Sequence, residues 1–213
     1  MNTDELVSLL AANAAPVDRN AVARRLGLAL FWGSLGAALL LAAALGVRAD
    51  LGEMSRLPMF WLKLAFPACL AVAGIVAAAR LSRPGMRLDG VWAGLALPVL
   101  LVWMMAIAAF VNATPAQRPA LVFGTTWASC PFNIALLSIP AFIGIFWAMK
   151  GLAPTRPGLA GASAGLLAGA VGAFAYAFHC TEMTAPFLAI WYLAGMAIPA
   201  LVGALLGPRL LHW

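Results

Sequence analysis

The residues of this chain best suited to redox or soft-metal chemistry are its three cysteines and two histidines. Cys130 stands in Ser129-Cys130-Pro131, and Cys180 in Phe178-His179-Cys180-Thr181-Glu182. Three uses fit this pair. The two thiols could close a disulfide in an oxidising compartment. They could act as sensor thiols that are oxidised and reduced. Together with His179 they could bind a soft metal ion, since thiolate and imidazole suit such ions. A fourth reading makes them two unrelated structural cysteines. Glu182 is a weak fourth ligand candidate and fits a solvated loop acid better. Cys69, in Phe66-Pro67-Ala68-Cys69, reads as a small buried core residue. No CxxC, HExxH or phosphate-binding loop occurs. With no catalytic constellation in view, the chain is read as a non-enzyme without a cofactor.

The elements that must position these residues are membrane spans. Of 213 residues, 64% are hydrophobic and 9% charged, against roughly 45–50% and about 25% in soluble domains. The mean hydropathy is +0.97. That excludes a soluble enzyme, a disordered chain and a nucleic-acid-binding domain. The net charge of +6 is spread between apolar runs, so direct nucleic-acid binding is not expected. Six runs approach the ~20 residues a helix needs to cross a bilayer: Gly27–Val47, Trp61–Ala79, Val91–Val111, Pro131–Met149, Gly158–Phe178 and Pro186–Leu206. They are continuously apolar, without the alternation of barrel strands, so helices are expected. The first run is too long for a signal-peptide core. The fold class is therefore all-α, a polytopic membrane protein of six transmembrane helices.

Orientation follows from the cations. Nine of the 13 Lys and Arg residues flank the N-terminal side of this arrangement: Arg19, Arg24, Arg25, Arg80, Arg83, Arg87, Lys150, Arg156 and Arg209. Four flank the other: Arg48, Arg56, Lys63 and Arg118. The bias puts both termini in the cytoplasm of a bacterial inner membrane, and Cys130 and Cys180 near the outer face. Trp61, Trp92, Trp127, Trp147 and Trp213 fall near span ends, as an aromatic belt requires. Lys63 is expected to snorkel to the outer interface. Pro131 and Pro140 are expected to break the fourth region, with Pro115–Cys130 an outer loop or an interfacial turn of helix. Gly161, Gly165 and Gly169 form a GxxxGxxxG ridge, which serves either a homodimer seam or, the favoured reading, packing inside one bundle. Asn112, Asn133 and Tyr176 are polar but uncharged, and the spans contain no acid for proton coupling. A small-solute transporter and a membrane thiol oxidoreductase are the competing classes.

Residues 1–26 form an arm ahead of a membrane domain spanning 27–213. Thr3 is the expected N-cap, and Asp4 and Glu5 suit the helix dipole. Leu6, Leu9 and Leu10 follow at i, i+3 and i+4, and Pro16 bars continuation. A helix of three turns with one apolar face needs a surface to lie on. The acids disfavour an anionic lipid surface, so the arm is read as a docking helix for a cytosolic protein. Arg19, Arg24 and Arg25 fit equally a charged partner or anionic membrane lipid.

These residues also carry a likeness. Thr3-Asp4-Glu5-Leu6-Val7-Ser8-Leu9-Leu10-Ala11-Ala12 with Pro16-Val17, then Ala153-Pro154-Thr155-Arg156-Pro157, Tyr176-Ala177-Phe178-His179-Cys180, Phe187-Leu188-Ala189-Ile190-Trp191-Tyr192 and Gly207-Pro208-Arg209-Leu210-Leu211-His212-Trp213 resemble the NrsF family of membrane anti-sigma factors, negative regulators of sigma F. The likeness in length and span count covers the whole chain, and the specific motifs about a third. It implies a six-span inner-membrane protein that holds an extracytoplasmic-function sigma factor inactive. It also implies that paired cysteines, matching Cys130 and Cys180, take part in sensing, whereas Cys69 matches none; the signal expected at these thiols is an oxidant or a heavy metal. A soluble anti-sigma domain is absent, so the arm, with Asp4, Glu5, Leu6, Leu9 and Leu10, is the expected grip on the partner. A change at the cysteines would shift spans 4 and 5, and the Lys150–Arg156 loop and arm would release the sigma factor.

Overall fold

The computed structural model describes residues 2–12, 20–83, 85–152 and 154–211, and of Leu10 the backbone alone. Arg19, Pro16 and Trp213 lie outside the described residues. The elements are α1 (Thr3–Ala12), α2 (Ala21–Leu40, widening into a π-turn over Leu41–Leu45), α3 (Leu51–Met54), α4 (Pro58–Leu81), α5 (Val91–Asn112), α6 (Arg118–Phe123), α7 (Cys130–Lys150), α8 (Pro157–Tyr176), α9 (Ala185–Phe187, leading into a second π-turn over Leu188–Tyr192) and α10 (Leu193–Leu210). Six of these helical segments are long and apolar enough to span a bilayer, including Ala21–Leu45 and Ala185–Leu210. The chain is an all-α polytopic membrane protein. Each expected span is present, with ends moved by a few residues.

Apolar side chains leave the backbone only itself to hydrogen-bond to in lipid, so every run becomes a helix even where Pro interrupts it. Pro140 does not break the fourth span as expected. It sits inside α7, and Pro131 occupies the first turn, where its missing N–H leaves no bond unmade. α2 packs closely against this part of α7: a Cβ added to Gly36 of α2 would come within 2.7 Å of Pro140 Cβ, and one added to Gly33 within 2.6 Å of Ala141 Cα. Part of the stretch ahead of α7 is helical, as α6, in keeping with the interfacial-turn alternative. Thr3 is not the N-cap of α1. The Asn2 carbonyl accepts the Leu6 N–H at 3.1 Å, which makes Asn2 the capping position and Thr3 the first helical residue.

α8 lies at the centre of the bundle, and α5 at its rim with only Val91, Val102 and Ala106 buried. The glycine ridge faces α10 of the same chain. A Cβ on Gly161 would strike the Gly203 carbonyl, and one on Gly165 the Pro199 carbonyl. One on Gly169 would lie 2.9 Å from Met196 Cα. Glycine is needed because backbone meets backbone there, and the ridge is filled within one bundle, as favoured. Gly165→Leu should therefore pry α8 from α10. Overpacking of this kind costs about 1–3 kcal/mol or more. The expected readout is a lower unfolding temperature in detergent and a reduced membrane level, while Gly27→Leu, where an added Cβ meets nothing within 4 Å, leaves both unchanged.

Cys69 is exposed rather than buried. The inward stripe of α4 runs through Phe60, Lys63, Phe66, Pro67, Leu70, Ala73 and Gly74, and Cys69 falls on the opposite, lipid-facing side. The same stripe overturns the expectation for Lys63. It does not snorkel: it is fully buried, at 0% exposure.

Candidate functional site

Cys130 begins α7 and Cys180 follows α8, so alternating spans bring both to the bundle end opposite the start of α2. Both are free thiols, at 0% and 1% exposure. They share one packed cluster with Tyr176, Phe187 and Tyr192. The structure thus brings together the two cysteines that are distant in sequence. Cys130 is the first residue of α7, following the N-cap position Ser129, and Pro131 sets the first turn. Tyr192 reaches the cluster because the π-turn over Leu188–Tyr192 rotates the sixth span at its entry, burying Leu188, Ala189 and Tyr192 together.

The loop that carries Cys180 is strapped from three directions. From the first loop, the Arg48 N–H donates to the Phe178 carbonyl at 3.1 Å, and its guanidinium donates to the Cys180 carbonyl at 3.1 Å. Arg48 is itself held by Asp50 through two bonds of 2.6 and 2.7 Å. This fork raises the Arg48 pKa and lowers that of Asp50, so both stay ionised at neutral pH. From α4, Lys63 Nζ donates to the Cys180 carbonyl at 2.6 Å and to the Glu182 carbonyl at 2.8 Å. From the third loop, Thr125 donates to Glu182 Oε1 through its N–H at 2.7 Å and its hydroxyl at 2.8 Å. Thr184 Oγ1 donates to the Leu121 carbonyl at 2.8 Å.

His179 sits beside this cluster but is turned to the first loop, with Nδ1 2.9 Å from the Gly46 carbonyl. Among the described residues no group of three or more His, Cys, Asp or Glu side chains is placed to hold a metal ion. Cys130, Cys180 and His179 do not form the ligand set expected of them, because His179 is committed to Gly46 and the Glu182 carboxylate to Thr125. The two thiols lie buried together in one packed cluster.

The chain matches the family described as NrsF, negative regulator of sigma F, over residues 10–213. It belongs to the NrsF family. It is 52% identical over 213 residues, covering the whole of both chains, to the protein named "Probable anti-sigma-F factor NrsF" of Azospira oryzae. It is 39% identical over 217 residues, again covering both chains fully, to the "Anti-sigma-F factor NrsF" of Caulobacter vibrioides. No solved structure matches it.

In this NrsF-family chain the second candidate feature is α1. It is helical over Thr3–Ala12, with Asp4 and Glu5 in the first turn. Leu6, Val7 and Leu9 are 41%, 60% and 51% exposed, and none belongs to the packed clusters of the bundle. At the start of the first span, Arg24 and Arg25 join Lys150, Leu28, Trp32 and Trp147 around a cleft of about 570 Å³ between α2 and α7. Arg83, Arg87 and Arg156 line a second cleft at the same end. Sequence reasoning missed Lys63, Arg48 and Tyr192. The one available signal for Lys63 was its phase: it stands three residues after Phe60 and seven before Leu70, both buried.

Proposed function

We propose that this chain is an anti-sigma factor that sequesters an extracytoplasmic-function sigma factor at the bacterial inner membrane. Both termini lie in the cytoplasm. The N-terminal arm grips the sigma factor, and an oxidative or heavy-metal signal at Cys130 and Cys180 on the outer side releases it. The observation that carries this reading is α1, a helix with three exposed apolar side chains and an acidic first turn. A helix of ten residues is marginal in water by itself, and an apolar face of this kind docks into a hydrophobic groove of a partner. The family membership supports a sigma factor as that partner. The basic clefts around Arg24, Arg25, Lys150, Arg83, Arg87 and Arg156 support a cytoplasmic orientation for the same end and suit anionic membrane lipid headgroups.

The cysteines supply the signal input in this reading. A change at the sulfurs alters the strapped loop between α8 and α9, shifts α7 and α8 against each other, and biases the bundle toward a state whose arm no longer holds the partner. The test is capture from membranes. Tagged full-length protein is expected to co-purify with a sigma factor, and a reporter fused ahead of α1 is expected to be active only in the cytoplasm. Recovery of no sigma factor, or an arm mapped to the outside, overturns the proposal.

A further inference from the structure

The cleft between α2 and α7 has two unlike halves. Its rim carries Arg24, Arg25 and Lys150, and the described residues that line it include no Asp or Glu. Below the rim the wall is apolar, with Leu28, Trp32, Gly144 and Trp147. Trp32 lies about 10 Å further along α2 than Arg25, at a rise of about 1.5 Å per residue. Leu28, Trp32 and Trp147 are 55%, 63% and 79% exposed, so this wall faces outward rather than into the bundle core. The two helices close against each other at the floor, where a Cβ added to Gly144 would lie 3.2 Å from the Ala29 carbonyl oxygen. At the rim, a Cβ on Gly151 would strike the Arg25 guanidinium. Arg25 therefore reaches across from the start of α2 to the end of α7, beside Lys150. Like charges gathered on one rim repel each other, and an anion seated between them removes that cost. The volume, about 570 Å³, is within the range of about 300–1,000 Å³ usual for ligand pockets.

We propose that this cleft is a binding site for an anionic phospholipid, with the phosphate between Arg25 and Lys150 and an acyl chain laid against Leu28, Trp32 and Trp147. The proposal deepens the lipid contact named above, and it stands whether or not the cytosolic partner is a sigma factor. Three features favour a lipid. The apolar wall belongs to two helices long and apolar enough to span a bilayer, so it lies at the depth of hydrocarbon. A guanidinium pairs with phosphate oxygens through two parallel N–H bonds, and the lysine ammonium adds a point charge. Basic pockets between spans are recognition sites for anionic headgroups. An acidic protein segment matches the rim but not the wall, since following the wall inward would take its carboxylates out of water. A lipid seated here touches α2 and α7 at once. α2 follows the arm, and α7 carries Cys130 at its far end, so the lipid braces the arm-bearing span against a cysteine-bearing one.

The experiment uses the delipidated full chain in detergent, titrated with dioleoylphosphatidylglycerol or dioleoylphosphatidylcholine and read by native mass spectrometry. The two lipids share their tails and differ in net headgroup charge. Phosphatidylglycerol is expected to bind about 10-fold more tightly and to raise the unfolding temperature. Arg25→Gln with Lys150→Gln should bring the two lipids to within about 2-fold of each other. Arg56→Gln with Arg209→Gln removes the same charge from residues that do not line the cleft, and should leave the preference unchanged. Glycerol 3-phosphate, an anion without tails, is not expected to displace the lipid at equal concentration. Equal binding of the two lipids by the unaltered chain, an unchanged preference in the Arg25 and Lys150 variant, the same loss in the Arg56 and Arg209 variant, or displacement by glycerol 3-phosphate overturns the assignment. If the Arg25 and Lys150 variant keeps its lipid preference but loses capture of the sigma factor, the rim belongs to a protein contact instead. Both residues are exposed, and the comparison of the two lipids on the unaltered chain decides without any variant. The two readings fail separately: a chain that captures the sigma factor without a headgroup preference defeats only the lipid site, whereas one that binds the lipid and captures no sigma factor defeats only the proposed function.

Discussion

Replacing Leu6 and Leu9 together by Asp is expected to abolish capture of the sigma factor while leaving the membrane domain intact. Both side chains are exposed on α1, and neither packs into the clusters that hold the bundle together. Burying a leucine fully contributes about 1.5–3 kcal/mol. Loss of two anchors removes about 3 kcal/mol or more, a fall of more than 100-fold in affinity. The charged replacements add the cost of desolvating a carboxylate in an apolar groove. The measurement is co-purification from detergent-solubilised membranes, with the unfolding temperature and membrane level as controls for folding. Deleting residues 1–20 should have the same effect on capture. Undiminished capture by either variant would remove the arm as the grip and turn attention to the basic clefts at the same end of the bundle.

Replacing both Cys130 and Cys180 by Ser is expected to abolish induction of the sigma-dependent genes by oxidant or heavy metal, with repression retained. Every inducible step proposed above begins at one of these sulfurs. Neither contributes a disulfide to the fold, since both are free thiols, so the repressing state should survive their loss. A buried hydroxyl without a partner costs about 1–3 kcal/mol. Ala at both positions is therefore the second variant, and it separates a stability loss from a signalling loss. A reporter driven by the captured sigma factor measures the outcome. A normal response in a stable double variant would exclude the thiols from the mechanism.

These expectations draw on two levels of information. The six spans and their order were legible from the residues, because the drive to bury twenty apolar residues in lipid and to satisfy the backbone internally is local to each segment. The placement of Cys130 and Cys180 at one end of the bundle followed from counting spans. The resemblance to the NrsF family was carried by motifs around Tyr176–Cys180 and Phe187–Tyr192, which surround the thiol cluster.

What the sequence could not reveal was the rotation of each span about its own axis. In a soluble helix, polar residues mark the outer face. In a membrane, lipid tails are as apolar as the bundle interior, so Leu, Ala and Val say little about which side faces in. Cys69 was therefore placed inside and lies outside, while Lys63 was expected at the interface and lies in the core. The same ambiguity left the partner of the glycine ridge open until α10 was found against it. Local segments determined that this chain has six spans with two thiols at one end. Only the packing of α4, α8 and α10 decided that a buried ammonium stands beside Cys180, because that contact joins residues 117 positions apart and no periodicity within either segment encodes it.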